Sequence, residues 1–205
     1  PSGDRDGMTL IALIRHGPTE WNETGIVQGR SDIPLSENGR AKVGSWSVPL
    51  EISEFEWISS PLSRAMETAR ILTGRTEPTD ERLVEMDWSE WEGMTLPDLR
   101  ARLGNLMTAW EADGLDFRAP DGESPREVQA RLRPFLAERA AAGRNTAVVC
   151  HKGVIRALYA MSVSWDMTDK APDKLRDDCT HLFALSSDGT PTPHRLNLPL
   201  VEKDE

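Results

Sequence analysis

The 205-residue chain reads as an α/β protein, a three-layer sandwich with a mostly parallel central sheet and helices on both faces. Three observations predict this. Short apolar runs at Leu10–Ile14 and Thr146–Cys150 have the length and composition of buried strands, and Glu56–Ser59 looks like another strand. Each gives way downstream to a stretch with helical periodicity, the alternation expected of parallel strands joined by crossover helices. Polar, chemically capable residues follow each run at its carboxyl end, where ligand sites of open α/β sheets lie.

Length and composition bound the rest. The chain is long enough for one sizeable core, so residues 9–200 are assigned to one domain with a lid-like insertion around 85–123. Residues 1–8 are expected to be a disordered lead-in and 201–205 a frayed tail. Lys+Arg 24 against Asp+Glu 34 leave a net charge of −10, which argues against a nucleic-acid or anionic-membrane surface. An anionic ligand therefore needs a locally positive pocket. Cys150 and Cys179 form neither a metal-spaced pair nor a disulfide framework, and no apolar run reaches membrane length. The opening Pro1–Gly7 is polar and lacks a signal-peptide core, so a cytoplasmic protein is expected. No metal-ligand cluster is visible, and neither metal nor cofactor is expected.

Taken in order, the first strand stops abruptly on Arg15 and His16. A guanidinium fork can clamp two phosphate oxygens, and a neutral imidazole beside it can attack phosphorus, so the pair points to phosphoryl chemistry. Residues 24–35 read as loop, and Ser36 opens a short helix. After the second strand, Ser60 is expected to be an N-cap with Pro61 in the first helical turn. Leu62, Ala65, Met66, Ala69 and Leu72 repeat at helical spacing and should face the core. That leaves Ser63 and Arg64 free at an end whose orphan N–H groups and dipole favour an anion.

Glu85, Asp87, Glu90 and Glu92 then compete for the role of proton donor, since burial or a neighbouring carboxylate raises a carboxyl pKa toward neutrality. Leu99–Leu103 and Leu106–Ala112 are helical segments of the lid. Ser124-Pro125-Arg126-Glu127 is a capping box opening a long helix whose apolar face is Val128, Leu132, Phe135 and Leu136. The third strand ends on His151-Lys152-Gly153 before a helix from Val154 to Met161. Asp166–Asp178 reads as a surface connection, and His181–Leu185 and Thr192–Leu198 flank a hairpin turn. His181 and His194 are read as structural or surface histidines. Right-handed crossovers should bring Arg15, His16, Arg64 and His151 together along one sheet edge.

Several of these stretches match one family. Ile14–Asn22 resembles the signature of the histidine phosphatase superfamily, which contains cofactor-dependent phosphoglycerate mutases and many small acid and sugar phosphatases. Arg15, His16, Gly17, Thr19, Trp21 and Asn22 all fit. Residues 59–69 resemble the second motif, whose arginine contacts the transferred phosphoryl group and corresponds to Arg64. Gly25–Gly29 and Asp32–Leu35 resemble the segments framing the substrate mouth, which implies Gln28 as a polar contact alongside Asn22. Leu83-Val84-Glu85 followed by Trp91-Glu92-Gly93 singles out Glu85, with Ser89 standing where the family usually has glycine. Val149–Gly153 matches the context of the second histidine, His151, which would donate to a nonbridging phosphoryl oxygen. Gly122-Glu123-Ser124 resembles a further landmark, to which no catalysis is assigned.

The resemblance implies a phosphoglycerate mutase-like fold and a phosphohistidine on His16. Arg15 and Arg64 would hold the phosphoryl oxygens, and Glu85 would act first as acid and then as base. The implied partner is a small phosphorylated metabolite, with a homodimer left open. Hydrolysis is expected over mutase activity, because the family's mutases go with a longer insertion and tail. Lys152 departs from the family's usual small residue. Aimed into the pocket, its ammonium would be worth about 4 kcal/mol to an opposite charge about 4 Å away at an effective dielectric of about 20, favouring substrates with a carboxylate or second phosphate. It can equally turn outward into solvent.

Two other readings compete. Cys150 and Arg156 have the spacing of a cysteine-dependent phosphatase loop, against which stand the bulky Val154 and Ile155, and Ala157 in place of a hydroxyl residue. A catalytically inactive phosphate-binding regulatory module is the other, against which stand five reactive residues at the family's catalytic positions.

Overall fold

The computed structural model describes residues 8–202. The chain runs β1 (Thr9–Arg15), α1 (Glu20–Glu23), α2 (Glu37–Gly44), β2 (Trp46–Ser47), β3 (Glu56–Ser59), α3 (Ser63–Thr73), α4 (Leu96–Leu103), α5 (Asn105–Glu111), α6 (Pro125–Ala142), β4 (Thr146–Cys150), α7 (Lys152–Val163), β5 (Cys179–Leu185), β6 (Pro191–Pro199) and β7 (Val201–Glu202).

Alternation along the central strands decides the architecture. β1 sends Ile11 and Leu13 to one face and Leu10, Ala12 and Ile14 to the other, and β4 divides Val148 and Cys150 from Ala147 and Val149 in the same way. Strands buried on both sides need a layer on each. Val128, Leu132, Phe135 and Leu136 of α6, with Val154 and Leu158 of α7, cover the first face. Val43 of α2 and Ala65 and Ala69 of α3 cover the second.

The five-stranded sheet has the order β3-β4-β1-β5-β6. β3 and β1 pair in parallel with β4, whereas β5 is antiparallel to β1 and to β6. The sheet is thus mixed, with β5 alone running against the other four, because the turn Ser186–Thr190 makes β5 and β6 a hairpin. Register then places the strand ends. Arg15 lies opposite Cys150 and Ser59 opposite Val149, and the ladder continues one residue further through His16 N–H to Cys150 O and Ser60 N–H to Val149 O. His16, Ser60 and His151 consequently leave the sheet side by side.

That continued ladder corrects the expected start of α3. Ser60 does not cap the helix, which begins at Ser63 after Leu62 with no side-chain cap. Its core face is Ala65, Thr68 and Ala69, while Met66 is exposed and Arg64, expected to be free, is buried. The capping box of α6 is present, with Ser124 Oγ accepting from Glu127 N–H and Glu127 accepting from Ser124 N–H.

The stretch around residues 88–119 has a small core of its own, in which Trp91, Leu99, Met107 and Ala119 pack with Trp88, Trp110 and Phe117. Of the tail expected to fray, Val201 and Glu202 instead pair with Trp46 and Ser47; residues 203–205, and 1–7 of the expected lead-in, lie outside the described residues. Among the described residues no helix is long and apolar enough to cross a membrane.

Candidate active site

His16 sits where β1 ends, almost wholly buried, with Nδ1 2.6 Å from Gly17 O. A carbonyl only accepts, so Nδ1 carries the proton and Nε2 keeps its lone pair. Burial, then the charges of Arg64 and Arg15, lower the pKa of His16 to about 3. The ring is therefore neutral at neutral pH. The turn holding it is tied to α3, since Gly17 N–H donates to Thr68 Oγ1 and that hydroxyl donates to Arg64 O.

Arg64, in the first turn of α3, is 1% exposed. Its Nη1 and Nη2 donate to Ser31 O and Gly29 O, each at 2.7 Å, which orients the guanidinium without neutralising it. Arg15 pairs through Nη1 with Asp177 Oδ2 at 2.6 Å. His151 is fully buried, its Nε2 2.7 Å from Ser60 Oγ and its ring centroid 5.2 Å from that of His16. Burial, reinforced by His16 and Arg64, holds its pKa well below the ordinary imidazole value. Among the described residues four buried side-chain nitrogens lack a partner, and Arg15 Nε, Arg64 Nε and His151 Nδ1 are three of them. An unpaired buried polar group costs about 1–3 kcal/mol. Three in one cluster suit the oxygens of an anion.

Glu85 approaches from the loop between α3 and α4. Its Oε1 accepts from Met86 N–H at 2.7 Å and its Oε2 from Gly153 N–H at 3.1 Å. Burial nevertheless raises its pKa, outweighing those donors and the nearby Arg64 and Arg15. The other three acids serve elsewhere. Asp87 accepts from Ser89 N–H, Glu90 is exposed, and Glu92 ties the loop by accepting from the N–H groups of Arg30, Ser31 and Trp88. The backbone around Glu85 is pinned by Arg30 Nε on Glu85 O and Arg131 Nη2 on Val84 O, and both arginines pair with Glu123.

A cavity of about 470 Å³ is lined by Arg15, His16, Asn22, Gln28, Arg64, Glu85 and Lys152, so the fold gathers seven of the eight residues singled out in the sequence. His151, the eighth, is next to His16, ring against ring, but is not part of that lining. The side-chain oxygens of Asn22 and Gln28 are engaged by Thr19, which leaves their amide N–H groups for a ligand. Lys152 is exposed at the start of α7 and makes no ion pair among the described residues.

Ser60, Thr68, Asp177 and the Arg131–Glu123 pair went unrecognised as parts of the site. Ser60 lay in a recognised motif but was read as a cap, and Asp177 sits in a polar stretch that carries no local signal. Cys150 faces the core of α6 and α7, and burial pushes its thiol far up, which removes the thiolate that a cysteine mechanism needs. Among the described residues no group of three His, Cys, Asp or Glu could hold a metal ion.

Known proteins are similar to this chain in sequence and in fold. Residues 11–197 match the family described as the histidine phosphatase superfamily (branch 1). Glucosyl-3-phosphoglycerate phosphatase of Mycobacterium tuberculosis is 34% identical over 164 residues, 73% of either chain. 2,3-Bisphosphoglycerate-dependent phosphoglycerate mutase 2 of Gloeobacter violaceus is 30% identical over 166 residues, 74% of either chain. A structure of mycobacterial glucosyl-3-phosphoglycerate phosphatase complexed with VO3 superposes with a TM-score of 0.78 at 28% identity, covering 95% of this chain and 100% of that one. With the family match spanning nearly the whole sheet and all eight site positions, the chain belongs to branch 1 of the histidine phosphatase superfamily.

Proposed function

We propose that the protein is a phosphomonoester hydrolase that forms a phosphohistidine on His16 and acts on a small phosphorylated metabolite. The observation that carries this reading is the tautomer of His16: Nδ1 is committed to Gly17 O, and the neutral Nε2 is the nitrogen left to attack.

In the first step Nε2 bonds to phosphorus as the ester P–O bond breaks, and Glu85 passes its proton to the departing oxygen. Arg15, Arg64, Asn22 and Gln28 hold the nonbridging oxygens, and the neutral His151 donates a hydrogen bond to one of them as charge builds there. In the second step the Glu85 carboxylate takes a proton from water, which attacks phosphorus, breaks the P–N bond and releases phosphate. Hydrolysis is favoured over mutase activity because exposed residues, Lys152 and Arg156 among them, line the cavity, so water reaches it. A mutase must keep water from its phosphohistidine while an intermediate reorients.

The test combines trapping with product analysis. Wild type given p-nitrophenyl phosphate should yield an acid-labile phosphoenzyme that is absent from His16→Ala; an undiminished phosphoenzyme in His16→Ala rejects the mechanism. With 3-phosphoglycerate, phosphate release should outpace formation of 2-phosphoglycerate. The opposite order would assign a mutase.

A further inference from the structure

Arg156 has no role in the steps above, yet it lines the cavity that contains His16 and Glu85. It lies four residues after Lys152 on α7, so the two long side chains rise from one helix face. Both also line a second cavity of about 590 Å³ between α7 and the loop after it, and with Arg15 and Met167 they form the divide between the two.

The Arg156 guanidinium lies over the Trp165 ring at 5.3 Å, which fixes its plane, and among the described residues neither it nor Lys152 has a carboxylate in an ion pair. The nearby acids are otherwise engaged: Asp177 with Arg15, Asp173 with the Tyr159 hydroxyl, Asp169 with Trp165 Nε1 and Glu111 with Arg100. In a chain of net charge −10 an unpaired cationic ridge at the site mouth is out of keeping with the rest of the surface. A phosphoryl dianion is already met by Arg15 and Arg64. The additional positive charges lie where the leaving group must extend.

We propose that Arg156, together with Lys152, binds a second anionic group carried on the leaving group of the substrate, a carboxylate or a phosphate. Arg156 is the specificity determinant, because its fork can take two oxygens at once while Lys152 adds a point charge. Ile26, Val27, Trp88 and Phe117 supply an apolar wall for the carbon body between the two anionic ends. The proposal rests on the hydrolase reading and names the substrate class for that same site.

The experiment compares substrates differing in one group. 3-Phosphoglycerate is set against glycerol 3-phosphate for the carboxylate, and fructose 1,6-bisphosphate against fructose 6-phosphate for the phosphate. Wild type should favour the doubly anionic member of at least one pair in kcat/KM by about tenfold or more, and the pair that shows it identifies the group. Arg156→Gln should reduce that preference by about tenfold, with Arg156→Lys retaining part of it. A wild-type preference below about threefold in both pairs, or a preference that Arg156→Gln leaves within about threefold of wild type, overturns the proposal. If Arg156→Gln does not fold, Lys152→Gln is read by the same ratio. p-Nitrophenyl phosphate keeps the two readings apart, since its failure to turn over in wild type would reject the hydrolase itself.

Discussion

A β-carbon on Gly153 would lie 2.3 Å from Glu85 Oε1, while the N–H of the same residue donates to Oε2. The turn into α7 therefore both holds the carboxyl and admits nothing larger. Gly153→Ala is expected to displace Glu85 and to cut kcat on alkyl phosphates by about 10²-fold, within the range general acids supply. p-Nitrophenyl phosphate, whose leaving group needs no proton, should lose far less, and Glu85→Gln should show the same split. Equal losses on both substrates would remove Glu85 from the acid role. The pH profile has a sign as well. Burial raises Glu85, so kcat/KM for an alkyl ester should fall as pH rises through that raised pKa, a limb that Glu85→Gln abolishes. His16, lowered to about 3, keeps its nucleophile neutral across the same range. Arg15, His16, Arg64 and Glu85 were legible because their motifs are local. Asp177 and Thr68 were not, because what they hold lies far away in sequence, at Arg15 and Gly17.

At the level of elements, β1, β3 and β4 were legible as apolar runs and α6 as a capping box, both patterns written in consecutive residues. The start of α3 was not. Ser60 satisfies every local rule for an N-cap, but its N–H is claimed by the ladder to β4 and its hydroxyl lies against His151, so the helix waits until Ser63. Strand pairing outranks a cap when both want the same residue. The loop around Ser89 has the reverse history. Ser89, standing where the resembled family has glycine, adopts φ +46°, so the departure seen in the sequence falls on a left-handed position. That conformation costs a non-glycine residue about 1–2 kcal/mol, of which glycine's extra chain entropy offsets about 0.5–1. Among the described residues the Ser89 hydroxyl makes no hydrogen bond, and the bond from its N–H to Asp87 survives substitution. Ser89→Gly should therefore stabilise the protein by about 0.5 kcal/mol, read as a higher urea midpoint at unchanged m-value. A lower midpoint would show that the loop gains more from serine than its backbone loses.

Across the whole molecule, one choice of architecture links the site to acid stability. Putting phosphoryl chemistry at the ends of doubly covered strands buries histidines: His16, His151 and, beside Leu13 on β5, His181. The parallel core was readable from the sequence, but the reversed β5 that shelters His181 depends on a hairpin closing back onto β1. Burial lowers the pKa of all three, that of His16 to about 3, whereas an unfolded imidazole titrates near about 6.5. Between those values the unfolded chain binds more protons than the fold, so stability is lost as pH falls below about 6.5. Glu85 opposes this. Its raised pKa lets the fold bind a proton that the unfolded chain releases above about 4.3, so its contribution declines as pH rises. Three histidines outweigh one carboxyl, and the melting temperature of wild type should fall between about pH 6.5 and about pH 5, before ordinary carboxylates titrate. His16→Asn should flatten that slope and Glu85→Gln should steepen it. A melting temperature constant over this interval in wild type would mean that the buried imidazoles take up protons in the fold as readily as in the unfolded chain.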